Sequence, residues 1–361
     1  MTNYCFFNTV KAWGGGEKWH LETAYYLQSK GNNVVLFLFP GSELEKRAKE
    51  LNLNVVPIRL NNLSFLNPFK VFKTATLLKK HKSQVIVMNL TRDLKCGGIA
   101  ARLSGIKQIV FRRGSDLPVK NTVLNRFLYN KVITKVIANS DATKHTLLSK
   151  GPSLVSKDKI YVIPNGIATG KFSSQKSTPV YIKKENEIVL CTLGRLVKQK
   201  NQAFLIDLAL ALKNDSISFK IIIGGAGPLE AELKRKAKES NVLSNIVFTG
   251  FIARPKDLLM SGDIFVLPSL WEGFGYVLAE AGLCELPSVA FSISSNSQVI
   301  QDQKTGFLTP TNDIKAFCEA IQRLASDEQL RKQMGSAAKT FVQENFEAEK
   351  IVFEIETLLD E

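Results

Sequence analysis

Two glutamates, Glu272 and Glu280, bracket the turn Gly273-Phe274-Gly275 and the head of an apolar run in LWEGFGYVLAEAG (270–282). An acid near the start of a helix complements the positive end of the helix dipole and needs no further reason to be there. Two acids around a flexible turn can also hold a polyhydroxyl ligand. Glu280 would accept from a ribose diol, as an acid does in dinucleotide sites, and Glu272 would reach another part of the same molecule. GRLVKQKN (194–201) supplies the opposite charge, with Arg195, Lys198 and Lys200 after Gly194 at the end of a β-rich run. A guanidinium fork and an ammonium point charge suit a diphosphate. A solvated basic loop is the plainer reading of the same residues.

Two further glycine clusters follow β-rich runs. WGGGEKWH (13–20) places Gly15 and Gly16 at the opening of a helix, where backbone amides favour a phosphate. It is not a G-x-G-x-x-G fingerprint, and no acid lies on a second strand to hold a dinucleotide ribose. A tight strand–helix turn explains it equally well. IGGAGPLEAEL (223–233) puts Gly225 ahead of a helix that Pro228 can start. It can line a nucleotide pocket or simply turn the chain.

Positioning these groups requires strands that end at one edge. Short, continuously apolar runs alternate with helical patterns along the whole chain, as expected of parallel strands covered on both faces. Examples are 4–10, 33–39, 84–90 and 107–113 in the first half, and 187–196, 219–225, 245–251, 263–269 and 287–293 in the second. The polar stretch TGKFSSQKSTPVYIKKENE (169–187) separates the halves. The reading is an α/β protein of two Rossmann-like, doubly wound domains facing across a cleft. Residues 1–167 form the first domain, 168–186 a linker, and 187–343 the second domain. An amphipathic final helix at about 344–359 can pack back on the first domain.

The five cysteines are scattered, odd in number and without metal-type spacing, which fits a reducing cytosol. No signal-peptide pattern opens the chain, and no apolar run is long enough to span a bilayer. The net charge is +15, and residues 51–140 hold sixteen Lys/Arg against two acids, Asp93 and Asp116. A basic half points to an anionic partner. No nucleic-acid recognition motif accompanies it, so nucleic acid is not the expected partner.

In family order and spacing, GGGE (14–17), ANSDATK (138–144), VIPNGI (162–167), GRLVKQKN (194–201), GGAGPL (224–229), FTGF (248–251), EGFGYVLAE (272–280) and TGFL (305–308) resemble glycosyltransferase family 4, whose E-x7-E motif is the seventh of these. The resemblance covers essentially the whole chain. It implies the GT-B fold and transfer of a sugar from a UDP- or GDP-linked donor to a glycan or glycolipid acceptor, with retention at the anomeric carbon. In that reading Arg195 and Lys200 bind the diphosphate and Gly15 and Gly16 approach the same phosphates. Glu280 holds the ribose, Glu272 and the backbone of Gly273, Phe274 and Gly275 contact the sugar, and Leu278 offers its N–H to phosphate. The base lies near Phe251 and Ile252, and Gly194 and Gly225 line the donor site. Fixed cations aimed at the departing diphosphate stabilise the transition state more than the ground state. No Asp-x-Asp occurs, so neither a metal nor another cofactor is expected. Closure of the two domains would exclude water.

One departure stands out. Many relatives carry a histidine in the loop after the fifth strand; here it reads FRRGSDLP (111–118), and His20, His81 and His145 lie elsewhere. Arg112, Arg113 or Asp116 can fill that place on the acceptor side, or the segment can be a surface turn. The stretch 59–82 mixes apolar side chains with cations, including Lys70, Lys73, Lys79 and Lys80. It resembles an interfacial amphipathic element. The expectation is a cytoplasmic protein peripheral on the inner face of the plasma membrane, acting in lipopolysaccharide or other surface-polysaccharide assembly. A sugar-nucleotide epimerase or a phosphorylase of the same fold is the alternative. A nucleic-acid- or membrane-binding module is a more distant one.

Overall fold

The computed structural model describes residues 1–361 apart from 116–117, 150, 152, 214–216 and 294. It divides into two compact units, Met1–Gly166 with Ala348–Glu361, and Ile167–Glu347. The first unit holds seven parallel strands: β1 (Asn3–Asn8), β2 (Asn33–Leu38), β3 (Asn54–Pro57), β4 (Val85–Met88), β5 (Gln108–Arg113), β6 (Lys135–Ala138) and β7 (Ile160–Val162). Their order is β3-β2-β1-β4-β5-β6-β7. The second holds β8 (Ile188–Leu193), β9 (Phe219–Gly224), β10 (Ile246–Gly250), β11 (Ile264–Leu267), β12 (Ser288–Phe291) and β13 (Gly306–Thr309). Their order is β10-β9-β8-β11-β12-β13.

Both sheets are doubly wound, and the strands are continuously apolar because each face meets a separate core. Along β1, Tyr4 and Phe6 enter one cluster while Cys5 and Phe7 enter the opposite one. Along β9, Ile221 and Ile223 face one core and Ile222 the other. In each sheet the first strand lies third from one edge. The chain builds to one edge, returns, and leaves a switch point between β1 and β4 and another between β8 and β11. At such a point consecutive loops diverge to opposite faces, so ligands bind beyond the carboxyl ends of those strands.

Two boundaries differ from the sequence reading. The polar stretch 168–186 is not a free tether but belongs to the second unit. It contains the short helix Thr169–Ser174. Lys256 Nζ donates to the carbonyls of Ser173 (2.6 Å) and Gln175 (2.8 Å), and Thr178 N–H to Asp257 Oδ1 (2.9 Å). A Lys- and Ser-rich stretch looks solvated in sequence, and most of its side chains are exposed, yet its backbone is tied to the second unit at these points. The terminal helix runs Ala348–Asp360, breaking from its predecessor Glu328–Phe346 at Glu347. It lies in the first unit, with Ile351, Val352, Ile355, Leu358 and Leu359 joining the core of Tyr4 and Phe6. Tyr4 Oη donates to Asp360 Oδ1 at 2.6 Å. No helix among the described residues is long and apolar enough to cross a membrane.

Candidate active site

The loops leaving β8 and β11 are stitched together at the switch point of the second sheet. Leu270 N–H donates to the Gln199 carbonyl at 2.9 Å, and Gln199 Nε2 donates to the Trp271 carbonyl at 2.9 Å. Beside them Lys200 Nζ donates to Glu272 Oε1 in an ion pair whose side chains are 15% and 8% exposed. The stem of Lys200 passes over Gly194, 3.1 Å from where a Cβ would stand. Arg195 is exposed and forms no ion pair among the described residues, while its carbonyl accepts from Gln202 Nε2 at 3.0 Å. The arrangement therefore presents one open guanidinium and one ammonium already fixed by a carboxylate. Both stand at the carboxyl end of β8, where an anionic ligand is favoured.

The glycines have mechanical reasons to be glycine. Gly225 sits at φ +128°, and a Cβ there would lie 1.9 Å from the Gly194 carbonyl oxygen. Its N–H donates to the Gly250 carbonyl at 2.7 Å. Gly275 sits at φ +75° and caps the helix Tyr276–Leu283. This left-handed turn lets the chain reverse from the loop into the helix.

That turn also engages Leu278, whose N–H donates to the Gly275 carbonyl at 2.8 Å within the helix start. The Phe274 ring is 2% exposed and packs edge-on against Tyr276 and Phe346, with centroids 5.3 and 5.2 Å away. Only its backbone remains for a ligand. Glu272 and Glu280 are both buried, at 7% and 6% exposure. Phe251, just past β10, is 78% exposed, and Ile252 packs against the core.

In the first unit, Gly15 opens the helix Gly15–Ser29 and Gly16 lies so close to β4 that a Cβ would stand 2.4 Å from Asn89 Nδ2. The first turn carries the buried Glu17, whose Oε1 accepts from Asn8 Nδ2 at 3.2 Å. Arg112 is buried, donating to Asn89 Oδ1 (3.1 Å) and Asn165 Oδ1 (2.7 Å), and its guanidinium lies 4.9 Å from the Trp19 ring centroid. It braces the first sheet. Arg113 is half-buried at the end of β5, its carbonyl accepting the Asn139 N–H at 3.1 Å. Asp116 lies outside the described residues. His20 is packed between Phe6 and Trp19, where burial and the Arg112 charge push its pKa down to about 3.

Sequence reasoning missed Asp93. It is wholly buried just after β4 and accepts from Thr9 N–H at 3.0 Å and from Thr9 Oγ1, so it clasps the two loops at the first switch point. Burial raises its pKa to about 7, although the Thr9 bonds and Arg92 pull it down; Glu17 adds to the rise. Its position in an otherwise basic stretch was the only signal. Among the described residues no group of three or more His, Cys, Asp or Glu is arranged to hold a metal ion.

Known proteins are similar to this chain. The family model described as Glycosyltransferase Family 4 matches residues 13–171, and that described as Glycosyl transferases group 1 matches 173–341. The UDP-Gal:alpha-D-GlcNAc-diphosphoundecaprenol alpha-1,3-galactosyltransferase of Escherichia coli is 28% identical, over 76% of this chain and 75% of its own. The capsular polysaccharide biosynthesis glycosyltransferase CapM of Staphylococcus aureus is 27% identical, over 92% of this chain and 91% of its own. Anabaena HepE, solved in complex with UDP, shares the fold with a TM-score of 0.85 at 20% identity, covering 99% of this chain and 100% of that one. Two seven- and six-stranded Rossmann-like units with these matches place the chain in glycosyltransferase family 4, as a glycosyltransferase of the GT-B fold.

Proposed function

We propose that the protein transfers a sugar from a nucleoside-diphosphate sugar to a glycan or glycolipid acceptor, with retention at the anomeric carbon, in bacterial surface-polysaccharide assembly such as that of lipopolysaccharide. The observation that carries this reading is the Lys200–Glu272 pair beside the open Arg195 at the second switch point. As the anomeric C–O bond breaks, negative charge grows on the diphosphate, and Arg195 and Lys200 are the cations assigned to it. Fixed charges in a partly dry site stabilise that charge without reorganising. Glu280 is assigned to the ribose hydroxyls and the exposed Phe251 to the base. Glu272 and the backbone of Gly273–Gly275 are assigned to the sugar. UDP in HepE and the UDP-sugar named for the E. coli relative support UDP as the nucleotide.

A thermal-shift screen across UDP- and GDP-sugars tests the donor, because a ligand that binds only the folded state raises its stability. Proton NMR of the product then reads the anomeric configuration. An inverted product rules out retention, and interconversion of the nucleotide sugar without acceptor indicates an epimerase.

The first unit is assigned to an anionic membrane surface on the cytoplasmic side. Its charge excess over 51–140 supports this, as do the exposed Leu63, Leu66, Phe69 and Phe72. Such a surface attracts each basic side chain by about 1 kcal/mol. Co-sedimentation with anionic and neutral vesicles at low and high salt decides it; binding without lipid or salt dependence refutes it.

A further inference from the structure

A cavity of about 350 Å³ opens in the first unit between the end of β3 and the helix Pro68–Lys80. Pro57, Ile58 and Leu77 form apolar wall, and Arg59, Lys70 and Lys73 bring three cations to it, with no acid among its lining residues. None of the three is in an ion pair among the described residues; the Arg59 guanidinium lies 5.9 Å from the Phe39 ring centroid. Thr74 at the wall already donates its hydroxyl to the Lys70 carbonyl at 2.8 Å. The charged donors of the cavity are therefore the three cations, which repel one another until an anion joins them.

On the helix, Lys70, Lys73 and Leu77 follow one face at spacings of three and four. The next row carries Phe69 and Phe72, 85% and 62% exposed, and the preceding turn carries Leu63 and Leu66, each 66% exposed. Four large exposed apolar side chains on the cavity's helix and the turn before it have no use toward a soluble anion. They have one toward an interface that is apolar on one side and anionic on the other.

We propose that this cavity binds the phosphate of an anionic phospholipid headgroup while Phe69 and Phe72 enter the acyl boundary beside it. Arg59 offers its planar fork to the phosphate oxygens, and Lys70 and Lys73 complete the charge. The proposal deepens the membrane-docking reading and rests on it. It adds that the attraction is focused in one site instead of being spread over the basic face.

The test compares two double variants that remove equal charge from one helix. These are Lys70→Gln with Lys73→Gln inside the cavity, and Lys79→Gln with Lys80→Gln outside it. Co-sedimentation uses vesicles of phosphatidylcholine with and without phosphatidylglycerol, and thermal melts confirm that both variants fold. Loss of two diffuse charges lowers anionic-vesicle binding by about thirtyfold. The cavity pair is expected to lose at least about tenfold more than the outer pair. Equal losses overturn the cavity and leave docking intact. Failure of the wild type to prefer anionic vesicles overturns both. Calorimetry with glycerol 3-phosphate and a short-chain phosphatidylglycerol separates the sources. Equal affinity for the two assigns the site to free phosphate and overturns the lipid; preference for the lipid, lost in Phe69→Ser with Phe72→Ser, supports it.

Discussion

Lys200 and Glu272, 72 residues apart in sequence, close an ion pair across the point where the strand order of the second sheet reverses. With side chains 15% and 8% exposed, each restricts the other. Lys200 is thereby set in place before any ligand arrives, which is what electrostatic preorganisation requires. Glu272 gains a second duty. Besides the sugar contact proposed for it, it positions the ammonium, so in the proposed reading its substitution acts on the diphosphate through Lys200.

Lys200→Met leaves a nearly buried carboxylate without its cation. Stability falls by about 2–3 kcal/mol, the lower part of the range for a broken buried pair because some exposure remains. Turnover falls by about a hundredfold or more. Adding Glu272→Gln to Lys200→Met removes the orphaned charge. Denaturant melts should then recover part of the stability while steady-state assays recover no turnover. Recovery of both would make the pair structural only.

Glu280→Gln keeps the shape of a side chain that is 6% exposed but removes its charge. A hydrogen bond to a charged group contributes about 1.5–3 kcal/mol. Nucleoside diphosphate affinity should therefore drop about tenfold or more by calorimetry, with little change in melting temperature. A large fall in melting temperature with unchanged affinity would give Glu280 a structural role within the helix Tyr276–Leu283 instead.

Gly225 and Gly250 separate close packing from backbone freedom. Gly225→Ala sets a methyl 1.9 Å from the Gly194 carbonyl oxygen at φ +128° and must push the β8 loop away. Gly250→Ala, at φ +71° with open space around it, meets only the left-handed penalty of about 1–2 kcal/mol. The first should destabilise by clearly more and weaken diphosphate binding; the second should leave binding intact. Equal effects in melts and titrations would contradict the close approach.

Asp93 makes stability depend on pH with a definite sign. Its pKa is raised by burial from 3.8 to about 7, so the folded state holds the proton more tightly than the unfolded chain. The associated stability is fully present below the ordinary carboxylate value and is lost as pH rises towards 7. At about 1.4 kcal/mol per tenfold change in proton affinity, the swing is at most about 4 kcal/mol. Asp93→Asn does not titrate. Its stability relative to the wild type should rise between pH 4 and pH 8 in denaturant melts. A constant difference would show that Asp93 does not titrate in that range.

The doubly wound sheets were legible because uninterrupted apolar runs such as NVVLFLF and FKIIIGG admit few other uses. The helix start at Tyr276 followed from the Gly-Phe-Gly turn ahead of an apolar run. What was not legible depends on where chain ends meet. The Leu278 N–H donates to the Gly275 carbonyl where Gly275 turns left-handed, and Phe274 is core because Phe346 packs against it. Glu272 reads as a ligand group in isolation, and only the approach of the β8 loop supplies Lys200. Asp93 reads as one acid among cations, and its burial arises from a clasp to Thr9, 84 residues away.

Calorimetric titration of UDP and GDP into the wild type and Arg195→Ala tests the donor site most directly. Arg195 is exposed and unpaired among the described residues, so its removal should leave folding unchanged. One of the two diphosphates should bind the wild type at a single site, and Arg195→Ala should weaken it at least about tenfold, the loss of one charge-assisted contact. If neither diphosphate binds the wild type, or if the variant binds as tightly, the carboxyl end of β8 is not the donor site.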